Sequence, residues 1–406
     1  MTSFATHLEC SRCQEDFPVD QIQQVCKSDG GPLLVRYDLR RVRDAVTKDG
    51  LRARPETLWR YRELLPYEEI DNVVALGEAN TPLLETPSLG EEVGIPKLRV
   101  KDEGLLPTGT FKARGAAVGV TRAAELGVET LALPSAGNAG SAWAAYGARA
   151  GIRVVVVMPE RTPKAIVREA AAYGGEVYTV DGSIAEAGAV VKRICADRGW
   201  YDASTLREPY RIEGKKTMGF ELAEQLGWRL PDVIVYPTGG GVGLIGMWKA
   251  FDELRAIGWL DGTARRPRFV VAQAGGCAPI VDAFTKGLAE SRPWPDPTTF
   301  AAGIRVPKAL GDFIILRALR ESEGTALAVS DEEIAEAMEL AGESEGLLLC
   351  PEGGCALAVT RELRQNGWIS ESDEVVIFNT GTGLKYAEFL QGEDARHLGP
   401  NELPDE

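Results

Sequence analysis

The segment LLPTGTFKARGA, residues 105–116, places one lysine, Lys112, inside a run of turn-forming and small residues. Pro107 and Gly109 precede the lysine, and Gly115 follows it in an alanine-rich stretch that predicts a helix. A lysine on the solvent face of a helix needs no such setting, because its charge is hydrated there. The segment therefore predicts a lysine in a fixed and partly dry pocket, where burial lowers the pKa of the amine toward neutrality.

From about Val73 the sequence alternates short β-rich runs with longer helical runs. The β-rich runs are almost continuously apolar, which is typical of strands that are buried on both faces of a parallel sheet. About eight such units are too many for one common sheet, so we expect an α/β protein with two doubly wound parallel-sheet domains. The predicted strands lie at 97–103, 130–135, 153–159, 176–182, 232–238, 268–274 and 374–380.

The first 36 residues differ from this pattern and contain three closely spaced cysteines. CSRC contains Cys10 and Cys13, and Cys26 is followed by Asp29 at the position where a zinc ribbon has its fourth cysteine. Three thiolates do not close a structural tetrahedral site, and a carboxylate is an uncommon fourth ligand there. We therefore expect a degenerate zinc-ribbon-like module without a metal, with zinc binding as the alternative, followed by a helical linker within residues 1–70.

Composition and charge exclude several classes of function. The chain has 406 residues and a formal net charge of -15 without a basic stripe, so it repels nucleic acid and anionic membranes. It has no uncharged apolar segment of about 18 residues, which predicts no membrane span. The number of cysteines is odd, at seven, and the N-terminal segment does not resemble a secretory signal, which predicts a cytoplasmic protein with reduced thiols.

The sequence contains two histidines, His7 and His397, and both lie near the ends of the chain. A Ser-His-Asp triad, a Cys-His pair and a histidine-ligated metal in the core are therefore not expected. If the protein is an enzyme, another side chain must transfer protons, and a buried lysine can do so.

SAGNAGSAW, residues 135–143, follows one predicted strand and begins a helix with small residues. Ser135, Gly137, Asn138 and Gly140 leave several backbone N–H groups accessible at the helix N-terminus, which predicts a site for a carboxylate or a phosphate. The alternative is an ordinary helix start that a serine or asparagine side chain caps.

A second junction, YPTGGGVGLIGMW at residues 236–248, has four glycines among five consecutive residues. Such a run is costly in backbone entropy and indicates that the backbone wraps closely around a phosphate at a helix N-terminus. The segment also contains a G-x-G-x-x-G pattern, as Gly241, Gly243 and Gly246. The next strand has Gln273 near its end rather than the acid that a dinucleotide site needs, so we favour a phosphate site over NAD binding.

A third junction, IFNTGTGLK at residues 377–385, ends a strand with Thr380 followed by Gly381 and Gly383. A hydroxyl held there can bind a ring atom of a ligand, and the alternative is a capped turn. An embedded lysine, a carboxylate-type site, a phosphate-type site and this hydroxyl together match one cofactor, pyridoxal 5'-phosphate. Its aldehyde needs a lysine, its phosphate a glycine-rich helix start and its ring nitrogen a polar partner, while an amino-acid substrate supplies the carboxylate.

These segments also resemble a known family. PTGTFKARGA, SAGNAG, GGGVG and TGTGLK occur in the order found in the fold-type II pyridoxal-phosphate enzymes, over about residues 75–390. The resemblance implies that Lys112 is the Schiff-base lysine, that Asn138 binds the 3'-oxygen of the pyridine ring and that Thr380 binds the ring nitrogen. The phosphate-binding residues that it implies are Gly239, Gly240, Gly241, Val242 and Gly243.

A division of the chain accompanies this resemblance. We expect residues 71–106 and 191–392 to form a large cofactor-binding domain, residues 107–190 a small mobile α/β domain, and residues 393–406 a frayed tail. The family also implies a homodimer that acts on a small amino-acid substrate.

Three features resemble threonine synthases in particular. They are the cysteine-bearing N-terminal module, the segment YRIEGKKT at residues 210–217 and the segment TGTGLK. This resemblance implies conversion of O-phospho-L-homoserine and water to L-threonine and phosphate, with Arg211 at the substrate phosphate. The sequence departs from the threonine synthase pattern at Thr382, at Ala139 and in the Thr-Gly-Gly-Gly cofactor loop, which is closer to amino-acid dehydratases. The substrate-binding residues that we expect are Ser135, Gly137, Asn138 and Arg211.

Three alternatives use parts of the same pattern. A threonine or serine dehydratase, or a related ammonia-lyase, would use the same residues without a site for a substrate phosphate. A catalytically silent binding protein and an NAD-dependent oxidoreductase are two further alternatives, which the intact Lys112 and the complete cofactor shell disfavour.

Overall fold

The computed structural model describes residues 3–261 and 265–390, so the predicted tail at 393–406 lies outside the described residues. In chain order the strands are β1 (Ala5–Cys10), β2 (Asp16–Phe17), β3 (Leu33–Tyr37), β4 (Leu83–Glu85), β5 (Leu98–Asp102), β6 (Thr130–Pro134), β7 (Arg153–Pro159), β8 (Glu176–Val180), β9 (Tyr201–Asp202), β10 (Val233–Pro237), β11 (Arg268–Ala274), β12 (Thr325–Val329) and β13 (Val375–Asn379). The α-helices are α1 (Leu39–Ala45), α2 (Lys48–Arg52), α3 (Pro87–Val93), α4 (Lys112–Glu125), α5 (Asn138–Ala150), α6 (Lys164–Ala172), α7 (Ile184–Arg198), α8 (Arg211–Gln225), α9 (Val242–Ala256), α10 (Pro279–Thr285), α11 (Asp312–Glu321), α12 (Asp331–Glu345) and α13 (Pro351–Gln365).

The larger sheet has six strands in the order β12-β11-β10-β13-β5-β4, and its pairs are parallel except for β4 with β5. Successive side chains of β10 belong to two different apolar clusters, Ile234 and Tyr236 with α8, α9 and α11, and Val233 and Val235 with α12 and α13. Because successive side chains of a strand point to opposite faces, this sheet is buried on both faces. The apolar strands therefore have the setting that their composition predicts.

The second α/β sheet has four parallel strands in the order β8-β7-β6-β9. Helices α5 and α6 pack with one of its apolar clusters, and α7 packs with the other. The predicted class, α/β with two doubly wound parallel-sheet domains, is confirmed by these two sheets and their covering helices.

The small domain extends further along the chain than the sequence indicates. The expected boundary at residue 190 falls inside α7, and the fourth strand of the small sheet, β9, ends at Asp202. The boundary therefore needs correction to a position after Asp202. A strand of two residues carries no periodicity, and this is why the sequence pattern did not predict it.

The N-terminal module is a small antiparallel sheet with the order β2-β1-β3. The predicted helical linker contains α1 and α2. Buried residues of the module join the apolar clusters of both α/β domains, as Leu8 and Val35 do in one cluster and Leu34 in the other. The module is thus packed against the rest of the protein. No helix in the described ranges is both long and apolar enough to cross a membrane.

Candidate active site

A cavity of about 420 Å³ lies where the loops after β6, β10 and β13 meet. This volume is within the range of small-molecule sites, and the carboxyl ends of parallel strands are where such sites occur in open α/β sheets. The cavity is lined by every residue that the sequence predicts for the site: Lys112, Ser135, Gly137, Asn138, Arg211, Gly239, Gly240, Gly241, Val242, Gly243 and Thr380.

Lys112 is the first residue of α4, and its turn is fastened to the end of β13. The N–H of Phe111 donates to the carbonyl of Thr380 over 3.0 Å, and an isolated bridge joins Thr110 to Gly381. The Nζ atom of Lys112 lies 4.0 Å from the centre of the Phe111 ring. The lysine is therefore held between the start of a helix and the end of a strand, as its setting in the sequence predicts.

Two glycines near the lysine are required by close approaches. Gly109 has a φ of +64°, and a Cβ atom there would lie 2.9 Å from the methyl carbon of Thr382. A Cβ atom on Gly115 would lie 2.9 Å from the carbonyl oxygen of Arg211, where α4 meets α8. The glycines around Lys112 thus allow the turn and the helix contact that fix its position.

Burial lowers the pKa of Lys112 to about 8, the carboxylate of Glu352 raises it in part, and the charge of Arg211 lowers it further. A lowered pKa leaves more of the amine neutral near physiological pH. Because only the neutral amine can attack an aldehyde or accept a proton, this environment suits both reactions.

The glycine-rich loop forms the start of α9. Gly241 has a φ of +69°, and a Cβ atom there would clash with the side chain of Ile315. A Cβ atom on Gly243 would clash with the hydroxyl of Tyr236. The N–H groups of a first helical turn lack partners within the helix, and the helix dipole is positive at that end, so the loop presents donors to an anion.

Ser135 caps α5 from inside the second loop. Its Oγ atom accepts hydrogen bonds from the N–H groups of Gly140 over 2.9 Å and Gly137 over 3.3 Å, and it donates to the Gly137 carbonyl over 2.6 Å. The helix start that the sequence left as an alternative is therefore present. The remaining N–H groups of this turn still face the cavity side of the loop, so capping and anion binding are compatible here.

Asn138 has one buried polar atom that lacks a partner. Its Nδ2 atom donates to the hydroxyl of Tyr386 over 2.8 Å, whereas Oδ1 has no hydrogen-bond partner among the described residues. Since the two ends of a side-chain amide can be exchanged by rotation, Oδ1 can accept from Tyr386 while Nδ2 faces the cavity. In that arrangement the amide can donate to an oxygen of a bound ring.

Thr380 is buried at the end of β13, with neutral neighbours. Its Oγ1 atom lies 3.6 Å from the Sγ atom of Cys350, which accepts a hydrogen bond from the N–H of Gly353 at the start of α13. Burial raises the pKa of the Cys350 thiol, and the charge of Glu352 raises it further. A hydroxyl and a neutral thiol therefore form this side of the cavity.

Sequence reasoning missed Glu352, which also lines the cavity. Its Oε1 atom accepts a hydrogen bond from the N–H of Gly303 over 2.6 Å. The sequence around it, CPEGG, has a proline at the first helical position and an acid in the first turn, and this combination is typical of an ordinary helix start. The only signal was the acidic residue itself, at a junction that was not examined as a possible site.

Arg211 reaches the cavity but also has partners within the protein. Its Nη1 atom donates to Thr205 over 3.1 Å, its Nη2 atom donates to the carbonyl of Ala203, and its Nε atom lies 3.5 Å from Glu208. The guanidinium carbon lies 4.8 Å from the centre of a Trp143 ring. Arg211 is thus a buried and firmly positioned cation at the cavity wall.

Lys215, one turn further along α8, has fewer partners. Its Nζ atom donates to the carbonyl of Phe111 and lies 3.9 Å from the centre of the same aromatic ring that Lys112 contacts. Within the described ranges no carboxylate forms an ion pair with it. Burial, together with the charges of Lys112 and Arg211, lowers the pKa of Lys215 well below its usual range. The cavity therefore concentrates positive charge in a protein whose net charge is -15.

These residues fit pyridoxal 5'-phosphate. Lys112 offers an amine of lowered pKa, and the loop at 239–243 offers a cradle that side chains larger than glycine would fill. The unpartnered amide atom of Asn138 and the hydroxyl of Thr380 offer polar contacts for ring substituents. The donor set matches an aldehyde, a phosphate and a pyridine ring.

Comparison with known proteins identifies the class. The family model described as pyridoxal-phosphate dependent enzyme matches residues 74–381. Because this match covers more than half of the chain, the chain belongs to that family, and the predicted family resemblance and cofactor are confirmed.

Several curated relatives share a single name. The chain is 37% identical over 377 residues to the threonine synthase of Methanocaldococcus jannaschii, covering 93% of this chain and 92% of the relative. It is also 37% identical over 380 residues to the threonine synthase of Methanosarcina acetivorans, with the same coverage of both chains. The threonine synthase of Halalkalibacterium halodurans is 36% identical over 329 residues, covering 81% of this chain and 89% of the relative. Together with the family match, these relatives identify a pyridoxal-phosphate-dependent lyase that is similar to threonine synthases.

Solved structures with a similar fold include other enzymes of this cofactor. Maize serine racemase has a TM-score of 0.65 and 25% identity, covering 75% of this chain and 88% of that one. A bacterial threonine deaminase, from T.th., has a TM-score of 0.61 and 25% identity, covering 75% of this chain and 92% of that one. These similarities support the fold class and leave the substrate to be argued from the site.

Proposed function

We propose that this enzyme converts O-phospho-L-homoserine and water to L-threonine and phosphate. The observation that carries the proposal is the group of three cations at the cavity, Lys112, Arg211 and Lys215, beside two helix starts that present N–H groups. One helix start suffices for the phosphate of the cofactor and the other for the α-carboxylate of an amino acid. The additional cations have a use if the substrate carries a second anionic group, and the names of the relatives agree with this.

The residues divide the substrate among them in this proposal. The N–H groups at Ser135, Gly137 and Asn138 bind the α-carboxylate. The guanidinium of Arg211 and the ammonium of Lys215 bind the phosphate at the other end, where charge-assisted hydrogen bonds are strongest. A substrate fixed at both ends presents its α-carbon and β-carbon to the amine of Lys112.

Lys112 moves the protons. Pyridoxal 5'-phosphate, when bound, supplies an electron sink that makes the C–H bonds of an attached amino acid acidic. The Nζ atom of Lys112 accepts the proton from the α-carbon, which its lowered pKa favours. The bond between the γ-carbon and the phosphate oxygen breaks, the hydroxyl of water joins the β-carbon, and protons return to the α-carbon and γ-carbon.

Thr380 and Asn138 orient the ring. The hydroxyl of Thr380 can donate to a ring nitrogen without giving it a charge, and the amide of Asn138 can donate to the adjacent ring oxygen. An uncharged ring is a weaker electron sink, which favours elimination over transamination. The neutral neighbour of Thr380, the thiol of Cys350, maintains this condition.

The substrate assignment can be tested by comparing three substrates. O-phospho-L-homoserine, L-threonine and L-serine are assayed side by side with the wild-type enzyme, Arg211→Ala and the control Arg207→Ala. Arg207 lines the same cavity but pairs with Asp202 over 2.8 Å, so its charge is already compensated. Loss of Arg211 should lower kcat/KM for the phosphorylated substrate by about 30-fold to several thousand-fold, which corresponds to about 2–5 kcal/mol.

Two outcomes would decide against the proposal. If the wild-type enzyme deaminates threonine or serine efficiently and does not turn over O-phospho-L-homoserine, the enzyme is an ammonia-lyase. If Arg211→Ala lowers the turnover of all three substrates equally, Arg211 has a structural role through Ala203, Thr205 and Glu208.

A further inference from the structure

The N-terminal module contains a tight turn that presents two cysteines three residues apart. The N–H of Cys10 donates to the carbonyl of Glu15 over 2.9 Å, and the N–H of Gln14 donates to the carbonyl of Cys10 over 3.1 Å. Gln14 has a φ of +64°, which is uncommon for a residue other than glycine. This turn places Cys10 and Cys13 on the same side of the backbone.

A second turn repeats this geometry. The N–H of Cys26 donates to the carbonyl of Gly31 over 2.9 Å, and the N–H of Gly30 donates to the carbonyl of Cys26 over 3.0 Å. Gly30 has a φ of +72°, which corresponds to the value at Gln14 in the first turn. Asp29 therefore occupies in the second turn the position that Cys13 occupies in the first.

The two turns bring four ligand atoms together. The Sγ atoms of Cys13 and Cys26 are 3.6 Å apart, and the Sγ atom of Cys10 lies 3.4 Å from Oδ1 of Asp29. All four ligand atoms lie within 4.8 Å of one another. In a tetrahedral zinc site with Zn–S near 2.3 Å and Zn–O near 2.0 Å, two sulfurs are about 3.8 Å apart and a sulfur and an oxygen about 3.5 Å.

We infer that Cys10, Cys13, Cys26 and Asp29 bind one zinc ion in a tetrahedral site. The sequence-based expectation of a metal-free module rested on the rarity of a carboxylate as the fourth ligand. The repeated turn and the ligand distances are stronger arguments, because they concern the geometry that zinc requires. Soft thiolates favour zinc over the magnesium and calcium that carboxylates alone would select.

Contacts around the four residues orient them. The N–H of Gly31 donates to Oδ1 of Asp29 over 2.8 Å, which leaves Oδ2 available for a metal. The N–H of Arg12 donates to the Sγ atom of Cys10 over 3.4 Å. A Cβ atom on Gly31 would lie 2.9 Å from that sulfur, so the turn needs a glycine there. Such outer contacts are a regular part of metal sites.

The zinc ion would hold the segment between the two turns against the catalytic part of the protein. Within this segment, the carbonyl of Val19 accepts hydrogen bonds from the hydroxyl of Tyr210 over 3.1 Å and from Nη2 of Arg122 over 2.9 Å. Tyr210 immediately precedes Arg211 at the start of α8. Metal removal should therefore lower Tm without removing the lysine-bound cofactor.

The test uses the full chain, purified with a reductant and without chelators, with zinc and iron measured by mass spectrometry. We expect about one zinc per chain in the wild type and in Asp29→Cys, which completes a four-cysteine site. Asp29→Ala and Cys13→Ser should lower zinc affinity at least about tenfold in a competition with a chromophoric chelator. Asp29 and Cys13 are exposed, so these variants should fold.

His7→Ala is the matched control. His7, Glu9 and Asp16 form a second group of nearby ligand atoms, at which a metal could bind adventitiously. Zinc content that disappears in His7→Ala and persists in Cys13→Ser would overturn the inference. It would also be overturned by iron in place of zinc, by a chain that takes up no zinc from a stoichiometric zinc solution, or by undiminished zinc affinity in Asp29→Ala.

Discussion

Lys112 and Arg114 are two residues apart on α4, yet their surroundings differ completely. The guanidinium of Arg114 is fully buried and bonds to Glu103 over 2.6 Å and to Glu221 over 2.5 Å. Lys112 and its neighbour Lys215 share an aromatic ring and, among the described residues, form no ion pair with a carboxylate. The comparison teaches that the fold compensates the charge it uses for structure and leaves uncompensated the charges that face the cavity.

The paired group forms a network between three elements. Lys101 on β5 donates to Glu221 on α8 over 3.0 Å, and Thr81 donates to Glu103 over 2.7 Å. With Arg114 on α4, these residues connect the sheet to two helices that border the cavity. A buried charge is tolerated when its partners are complete, as they are here.

The largest expected effect removes the functional side of the comparison. Lys112→Ala should lower turnover by at least about a thousandfold and abolish the visible absorption band of the lysine-bound cofactor, because no other amine is placed to replace it. Tm should stay close to the wild-type value, since Lys112 takes no part in the buried ion network. The exposed lysine Lys192, which also lines the cavity, gives the control variant Lys192→Ala. A Lys112→Ala enzyme that keeps the band and reacts would refute the assignment.

The next effect removes the structural side. Arg114→Met leaves Glu103 and Glu221 buried without their main partner, which should lower the free energy of unfolding by about 3–5 kcal/mol. The measurement is urea unfolding at saturating cofactor. The control Arg153→Met breaks the exposed pair with Glu176 and should have no measurable effect. Equal stability of the two variants would show that the buried network contributes no more than a surface pair.

The sequence predicted the three junctions that surround the cavity because each joins an apolar strand to a glycine-rich helix start. It also predicted Lys112, since an isolated lysine among turn residues is a local feature. Glu352 was not predictable in this way, because its segment has the same composition as any helix start. The partners of Arg211 were also hidden, since the carbonyl of Ala203 and the side chain of Thr205 approach it only in the folded chain.

A pH titration sharpens the comparison by its sign. In the cofactor-free enzyme the pKa of Lys112 is about 8, whereas a lysine in the unfolded chain has a pKa near 10.4. Between these values the unfolded state binds more protons, so stability rises with pH. The free energy of unfolding of the wild type, relative to that of Lys112→Ala, should therefore increase between pH 8 and 10, by at most about 1.4 kcal/mol per unit. A constant or falling difference, measured by urea unfolding, would contradict the lowered pKa.

The most direct test of the central claim is the stability of Lys215→Met without cofactor. If Lys215 is an uncompensated cation kept for a ligand anion, its removal should raise the free energy of unfolding at pH 7 by about 1 kcal/mol. The same change should lower kcat/KM for O-phospho-L-homoserine by about 10-fold to 100-fold, the loss expected for a charge-assisted hydrogen bond. The control Lys249→Met removes a buried lysine that pairs with Glu213 and Glu253, and it should instead be destabilising. A Lys215→Met enzyme that is less stable than the wild type and fully active would contradict the account.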